Sequence, residues 1–281
     1  MIMDLYNKTS YKISKIITRN YSTSFSLGIS AFAKQYRDAI YGIYGFVRIA
    51  DEIVDTFNQH DQKLLMDNFR RDTDEALRYG ISTNPVLQAF VQTVNKYKIE
   101  YRYIDAFLNS MEMDLTNSYY EPQEYREYIY GSAEVVGLMC LQIFTGDNKE
   151  LFNQLIEPAR SLGSAFQKVN FLRDMKSDME ERERIYLPGI NNALKIDDES
   201  KRNLEIEIDA EFKNALVGIK KLPADVKLGV YSAYLYYKGL FKKIKRLKIK
   251  ELMKSRVRVS NPEKIMLFVK SAIDVKILKL T

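Results

Sequence analysis

Apolar residues recur at three- and four-residue intervals along most of the chain, and strand-like alternation is almost absent. That period predicts helices that each bury one apolar face. It places helices over 4–20, 34–57, 62–80, 84–97, 100–117, 121–146 and 149–182, with two or three further helices in 201–220, 224–252 and 261–279. The punctuation agrees. Gly80 stops one helix, and Asn84 followed by Pro85 opens the next as N-cap and first-turn proline. "YSTSFSLGIS" (21–30) reads as a Ser-rich turn or helix start, "RIYLP" (184–188) closes the long helix, and 189–200 reads as a loop. Pro158 and Gly163 lie inside the 149–182 helix as candidate kinks. The fold class is all-α, one bundle with a central cavity or groove.

Composition narrows the chemistry. The 281 residues suit one large domain or two small ones, either able to bury a full core. One cysteine (Cys140) and one histidine (His60) exclude a disulfide scaffold and a Cys/His zinc site. His60 sits in the polar run "NQHDQK", so a histidine-based triad has little support. Any catalysis falls to carboxylates, Tyr, Arg, Lys or a metal. No signal peptide is visible, and the best apolar run, "VVGLMCL" (135–141), is far shorter than a membrane span. The expected location is cytoplasmic. The net charge of +6 is concentrated in "KKIKRLKIKELMKSRVR" (242–258). This run suits an anionic partner, with a solvated helix face as the plain alternative. It lacks aromatic interleaving, so nucleic acid is not expected. An anionic membrane surface, contacted peripherally from the inner face, fits better.

Two acidic ladders stand out. In "RIADEIVD" (48–55), Asp51 and Asp55 lie one helical turn apart on one face, with Arg48 nearly in line. Two carboxylates placed so repel one another unless a cation joins them, and hard oxygen ligands at this spacing suit Mg²⁺ that also binds diphosphate. One D-x-x-x-D alone is weak evidence, but the flanks here are too apolar for a freely solvated helix. Far downstream, "QKVNFLRDMKSD" aligns Gln167, Asn170, Asp174 and Asp178 on one face, bordered by Arg173. Facing each other across a bundle, the ladders would form a pocket for Mg²⁺ and diphosphate. A structural salt-bridge network is the alternative, weakened because acids outnumber bases within these segments. Glu52 points off its ladder and has no role in this picture.

These segments resemble the squalene/phytoene synthase family of head-to-head prenyl transferases. The resemblance spans most of the chain in five ordered motifs: "YSTSFSLGI", "IYGIYGFVRIADEIVD", "YIYGSAEVVGLM", "GSAFQKVNFLRDMKSDMEERERIYLP" and "SRVRVSNPEKI". Glu134 departs from it, standing where many members carry a small residue. The resemblance implies one isoprenoid-synthase-like domain over 1–281 and a metal set of Asp51, Asp55, Asn170, Asp174 and Asp178, with Mg²⁺, or Mn²⁺ in its place. It implies diphosphate contacts from Arg48, Arg173, Arg256 and Tyr234, with Ser22 and Ser24 at the diphosphate end and Gln167 in a positioning role. Tyr44 and Tyr128 would support a cation by their ring faces or a phosphate by their hydroxyls. For most of the 20 tyrosines core packing is the better account. Phe25, Ile29, Ala133, Val136, Gly137 and Leu141 would wall a dry tunnel. Gly42 and Gly45 would allow close helix approach or leave room for an isoprenoid chain.

The closing segment and "AEVVGLM" look most like bacterial phytoene synthases, which implies two geranylgeranyl diphosphates as substrates and no NADPH. Two farnesyl diphosphates, giving dehydrosqualene or squalene, are the alternative. A non-catalytic helical binding protein of the same fold is the alternative from another class, disfavoured because every ladder position is filled.

Overall fold

The computed structural model describes residues 2–188, 190 and 197–277. Thirteen α-helices cover most of them: α1 (Ile2–Tyr21), α2 (Thr23–Ser30), α3 (Lys34–Asp55), α4 (Gln62–Tyr79), α5 (Pro85–Tyr97), α6 (Tyr101–Thr116), α7 (Pro122–Ile129), α8 (Val135–Thr145), α9 (Lys149–Glu180), α10 (Asp198–Lys221), α11 (Ala224–Ile244), α12 (Ile249–Leu252) and α13 (Asn261–Lys276). Among the described residues there is no strand; one isolated parallel bridge joins Tyr119 to Ile185.

The predicted helix starts coincide with local caps. Ser22 accepts from the Phe25 amide and opens α2, so the Ser-rich 21–30 stretch is a capped helix. Asn84 accepts from the Val86 amide ahead of Pro85, and Gly80 ends α4 in the left-handed conformation. Pro158 and Gly163 leave the helical assignment of α9 unbroken.

Three boundaries differ from the sequence expectation. The 121–146 helix is divided by a π turn at Tyr130–Glu134. The 224–252 helix ends at Ile244, before the separate turn of α12. α10 begins at Asp198, capped by Asp197, so the end of the expected 189–200 loop is helical. Positions 189 and 191–196 of that loop, and 278–279 of the last expected helix, lie outside the described residues.

α1, α3 and α5 pack together, α4 and α6 lie against α3, α8 joins α3 and α6 to α9, and α10 lies along α9. α11 packs on α2, α9 and α13. The centre of the α3–α5–α6 side is aromatic: Phe46 and Phe90 stack at 3.9 Å with rings 5° apart, and Phe69 and Phe107 close around Phe46. Gly42 and Gly45 belong to close helix approach and do not line the cavity described below. A Cβ on Gly42 would meet Thr93 Oγ1 at 2.7 Å and one on Gly45 would meet Ser14 Oγ at 2.8 Å, so the glycines let α5 and α1 close on α3.

The stretch Pro122–Thr145 is long and apolar enough to cross a membrane by length and composition, which the sequence expectation missed. It is mostly buried, packed against α6 and α9 as a core element. Glu134, within its π turn, pairs with Arg160 of α9 at 2.6 Å, which gives the unexpected acid an interhelical role. The basic 242–258 run is partly neutralised: Lys243 pairs with Glu263, Lys245 with Asp209 and Arg256 with Asp174, each at 2.6 Å.

Candidate active site

α3 and α9 carry the two ladders, and their C-terminal turns meet at a cluster of arginines. On α3, Arg48 contacts Asp51 at 2.6 Å and donates to Glu52 at 3.2 Å. The Tyr21 ring lies 5.0 Å from the same guanidinium, with Glu52 close by. Glu52 and Tyr21 thus fix Arg48, which is the role the sequence left blank. On α9, Asp174 is held from two sides. Arg173 donates from Nε at 2.9 Å and also from Nη2; Arg256 contributes Nε at 2.6 Å and Nη2 at 3.2 Å. Both are two-pronged guanidinium–carboxylate contacts, which fix orientation as well as charge.

Two arginines join the ladders. Arg182 Nη1 donates to Asp178 at 3.1 Å while its Nε stands 3.3 Å from Asp55. Arg184 Nη1 donates to Asp55 at 2.7 Å and its Nη2 to the Val54 carbonyl at 2.7 Å. Asp55 and Asp178 therefore sit within reach of one guanidinium. The acids outnumber the bases inside the ladder segments, as the sequence showed, but three arginines from outside them, Arg182, Arg184 and Arg256, restore much of the balance.

The balance is incomplete. Burial, with the Asp55 charge adding and Arg48 opposing, pushes the Asp51 carboxyl up to about 7. Burial and then Asp174 push Asp178 up to about 8, against the pull of Arg182. A carboxyl raised above its ordinary 3.8 is protonated more readily in the folded protein. Its contribution to stability is full below about pH 4 and is lost as pH climbs through about 8. Without divalent ions, the thermal midpoint should therefore fall from about pH 5 to about pH 8.5, and fall less in Asp178→Asn. Equal slopes would refute that account.

Beside the charged cluster lies an apolar cavity of about 250 Å³ walled by α2, α3, α8, α9, α10 and α11; no ladder acid or arginine lines it, but Val47 does, one helical turn before Asp51. Phe25, Ile29, Ala133, Val136, Gly137 and Leu141, the expected tunnel residues, all line it, and Gln167 lines it one turn before Asn170. Along α9 the wall runs from Gln167 to Leu155, about 18 Å at the helical rise. Cys140 is also in the wall, its thiol pushed up to about 12 by burial and so unreactive. Tyr44 stands between cavity and charge: its ring stacks on cavity-lining Phe25 at 4.8 Å, and it lies near Ser22, Arg48 and Asp51.

Three expected residues lie elsewhere. Ser24 lines a separate small crevice with Leu27, Ser232 and Lys264, since helical geometry turns it away from Ser22. Tyr234 is only 2% exposed, packed on Phe212 and Tyr231, with its hydroxyl receiving Lys238 at 3.2 Å. Tyr237, one turn on, faces the site instead: it stacks on Phe166 at 3.9 Å and lies beside Asn170 and Arg173. Tyr128 is buried off the cavity, donating to Asp114 at 2.8 Å. Tyr120 and Tyr186 donate to the same carboxylate at 2.7 Å each, and Arg184 stands 3.9 Å away. Asp114 thereby anchors the arginine that anchors Asp55. Sequence reasoning missed Tyr237, Arg182, Arg184 and Asp114. "RERIYLP" marked the two arginines only as part of a motif, and Asp114 carried no signal.

Every ladder donor is oxygen, and the Asn170 Oδ1 is buried with no partner. Among the described residues no three acidic groups converge on one point, because each ladder aspartate is turned onto an arginine. The donor chemistry, and buried Asp51 and Asp178 carboxyls that a bound cation would hold ionised, nevertheless fit a hard divalent cation.

Comparison with known proteins gives a consistent result. The family model for squalene/phytoene synthase matches residues 18–196. A phytoene synthase from Arthrospira platensis is 29% identical over 261 residues, covering 84% of each chain. The 15-cis-phytoene synthase of Synechocystis sp. is 28% identical, covering 92% of this chain and 82% of that one. A dehydrosqualene synthase crystal structure superposes with a TM-score of 0.83 at 21% identity, over 96% of this chain and 98% of that chain. A squalene synthase from Alicyclobacillus acidocaldarius gives a TM-score of 0.74 at 19% identity, over 86% of this chain and 95% of that chain. With the matched region holding both ladders and most of the cavity wall, the chain belongs to the squalene/phytoene synthase family.

Proposed function

We propose that this protein condenses two geranylgeranyl diphosphates head to head into phytoene, through a cyclopropylcarbinyl diphosphate (prephytoene diphosphate), with release of diphosphate. The observation that carries this is an arginine-rich carboxylate cluster beside a long apolar cavity, a shape matched to an amphiphile with an anionic head. Curated relatives named phytoene synthases support the longer substrate.

In this reading Asp51, Asp55, Asn170, Asp174 and Asp178 hold Mg²⁺, which when bound neutralises charge on the departing diphosphate. Arg48, Arg173 and Arg256 exchange part of their carboxylate contacts for diphosphate oxygens, to which guanidinium forks are well matched. Tyr237 takes the position expected for Tyr234, next to Arg173. Tyr44 and Phe25 present stacked ring faces where the allylic cation forms. The apolar wall excludes water, which would otherwise capture that cation. No NADPH is required for this product.

Offered farnesyl and geranylgeranyl diphosphate separately with Mg²⁺, the purified protein should turn over the geranylgeranyl substrate, releasing diphosphate and yielding a C40 hydrocarbon by mass. A C30 product alone would replace the substrate assignment, and no product from either would overturn the activity. Ala215, buried on α10, lines the cavity. Ala215→Leu should lower kcat/KM for the longer substrate relative to the shorter by about tenfold, the effect of crowding a packed wall. An unchanged ratio would show that the chain does not pass Ala215.

A further inference from the structure

Arg182 and Arg184 both reach Asp55 but are held differently. Arg184 is 7% exposed and has two contacts at 2.7 Å, one of them to the main chain, with Asp114 and Tyr186 behind it. It has no freedom to turn without leaving a buried charge unpaired. Arg182 follows the last turn of α9, and its side chain is 26% exposed. Its Nη1 bond to Asp178 is 3.1 Å long. Its Nε lies 3.3 Å from Asp55 without the alignment of a hydrogen bond and satisfies no other acceptor. One arginine is fixed, and the other only rests across the gap between the ladders.

We propose that Arg182 is a resident counter-cation and a diphosphate-binding residue. It bridges Asp55 and Asp178 while the site is free, then gives up those oxygens to the metal and takes diphosphate oxygens in exchange. This rests on the diphosphate reading above. The two carboxylates it spans are both among those assigned to the metal, and one oxygen cannot serve a tight metal bond and an arginine equally well. The exchange makes and breaks only ion pairs and hydrogen bonds. Arg182 stays tethered one turn beyond Asp178, so a released guanidinium remains beside the incoming anion, where its fork matches phosphate geometry.

Two equilibrium measurements on the full chain test this, with no turnover required. Mn²⁺ binding without substrate is followed by the electron paramagnetic resonance of the free ion. Inorganic pyrophosphate binding is measured by calorimetry at saturating Mn²⁺. Arg182→Gln should bind Mn²⁺ about three- to tenfold more tightly, because a competing cation is gone. It should bind pyrophosphate about tenfold more weakly, because a ligand is gone. Arg182→Lys, which keeps the charge without the fork, should lie between on both scales. If Arg182 were only a structural clip, both affinities in Arg182→Gln would stay level or fall together, and either result overturns the proposal. Absence of a hydrocarbon product would fail the prenyl-transfer reading alone, since these two affinities do not depend on it.

Discussion

Asp174→Ala should lower diphosphate release by about 10³-fold or more while the far-ultraviolet circular dichroism stays close to that of the parent. The size follows from what the side chain holds. Asp174 fixes two guanidinium groups by two-pronged contacts and is one of the oxygen donors proposed for the metal. Removing one preorganised charged group from such a site costs about 10²–10³-fold, and Asp174 positions more than one. The helices should survive because the apolar core holds them, but stability should drop: Arg256, 51% exposed on its side chain, is solvated once Asp174 is gone, whereas Arg173, 17% exposed, is left without its carboxylate partner. Asp51→Ala should behave likewise, with Arg48 still held by Glu52 and Tyr21. The measurement is pyrophosphate released per minute with saturating prenyl diphosphate and Mg²⁺. Turnover within tenfold of the parent in either variant would end the metal assignment for that residue.

Asp114→Ala should act in the opposite way, through the fold first. Asp114 accepts from Tyr120, Tyr128 and Tyr186 and faces Arg184, in a cluster where Tyr186 and Phe171 stack at 4.4 Å. Its deletion leaves three buried hydroxyls without their acceptor and removes one of two carboxylates near Arg184. Breaking such a buried ionic centre costs about 3–5 kcal/mol. For a chain of this size that corresponds to a fall in thermal midpoint of about 10 °C. Asp114→Asn keeps the shape and one acceptor oxygen and should lose less. Both variants should also lose activity, because Arg184 positions Asp55, and the loss in Asp114→Asn should exceed what its modest unfolding explains. Chemical denaturation checks the first claim: a change below about 1 kcal/mol in Asp114→Ala would show that the cluster is solvated or rearranges freely.

Local chemistry made most of the architecture readable. Helix starts at 23, 85 and 149 follow from Ser22, Asn84 and Asn148 as caps, and a cap needs only neighbours in sequence. The π turn at 130–134 and the stop at Ile244 were not readable, because packing against α6 and α9, or across α10, decides them; Gly131 in the turn marks a close approach to Ala106 and Ser110 of α6 that only the tertiary structure shows. The sequence alone determined that Asp51 and Asp55 share a helix face, that Gln167, Asn170, Asp174 and Asp178 share another, and that Phe25, Ile29 and Ala133 are apolar enough to wall a tunnel. Helical period states which side chains point together; it is silent on what lies across the gap. Tertiary structure alone decided that Arg182 and Arg184 span that gap, that Arg256 returns from 82 residues away to grip Asp174, and that Tyr237 faces Asn170 while Tyr234 packs on Phe212. Those outcomes depend on the register of one helix against another, which is fixed by long-range packing of side chains that carry no positional mark in the chain itself.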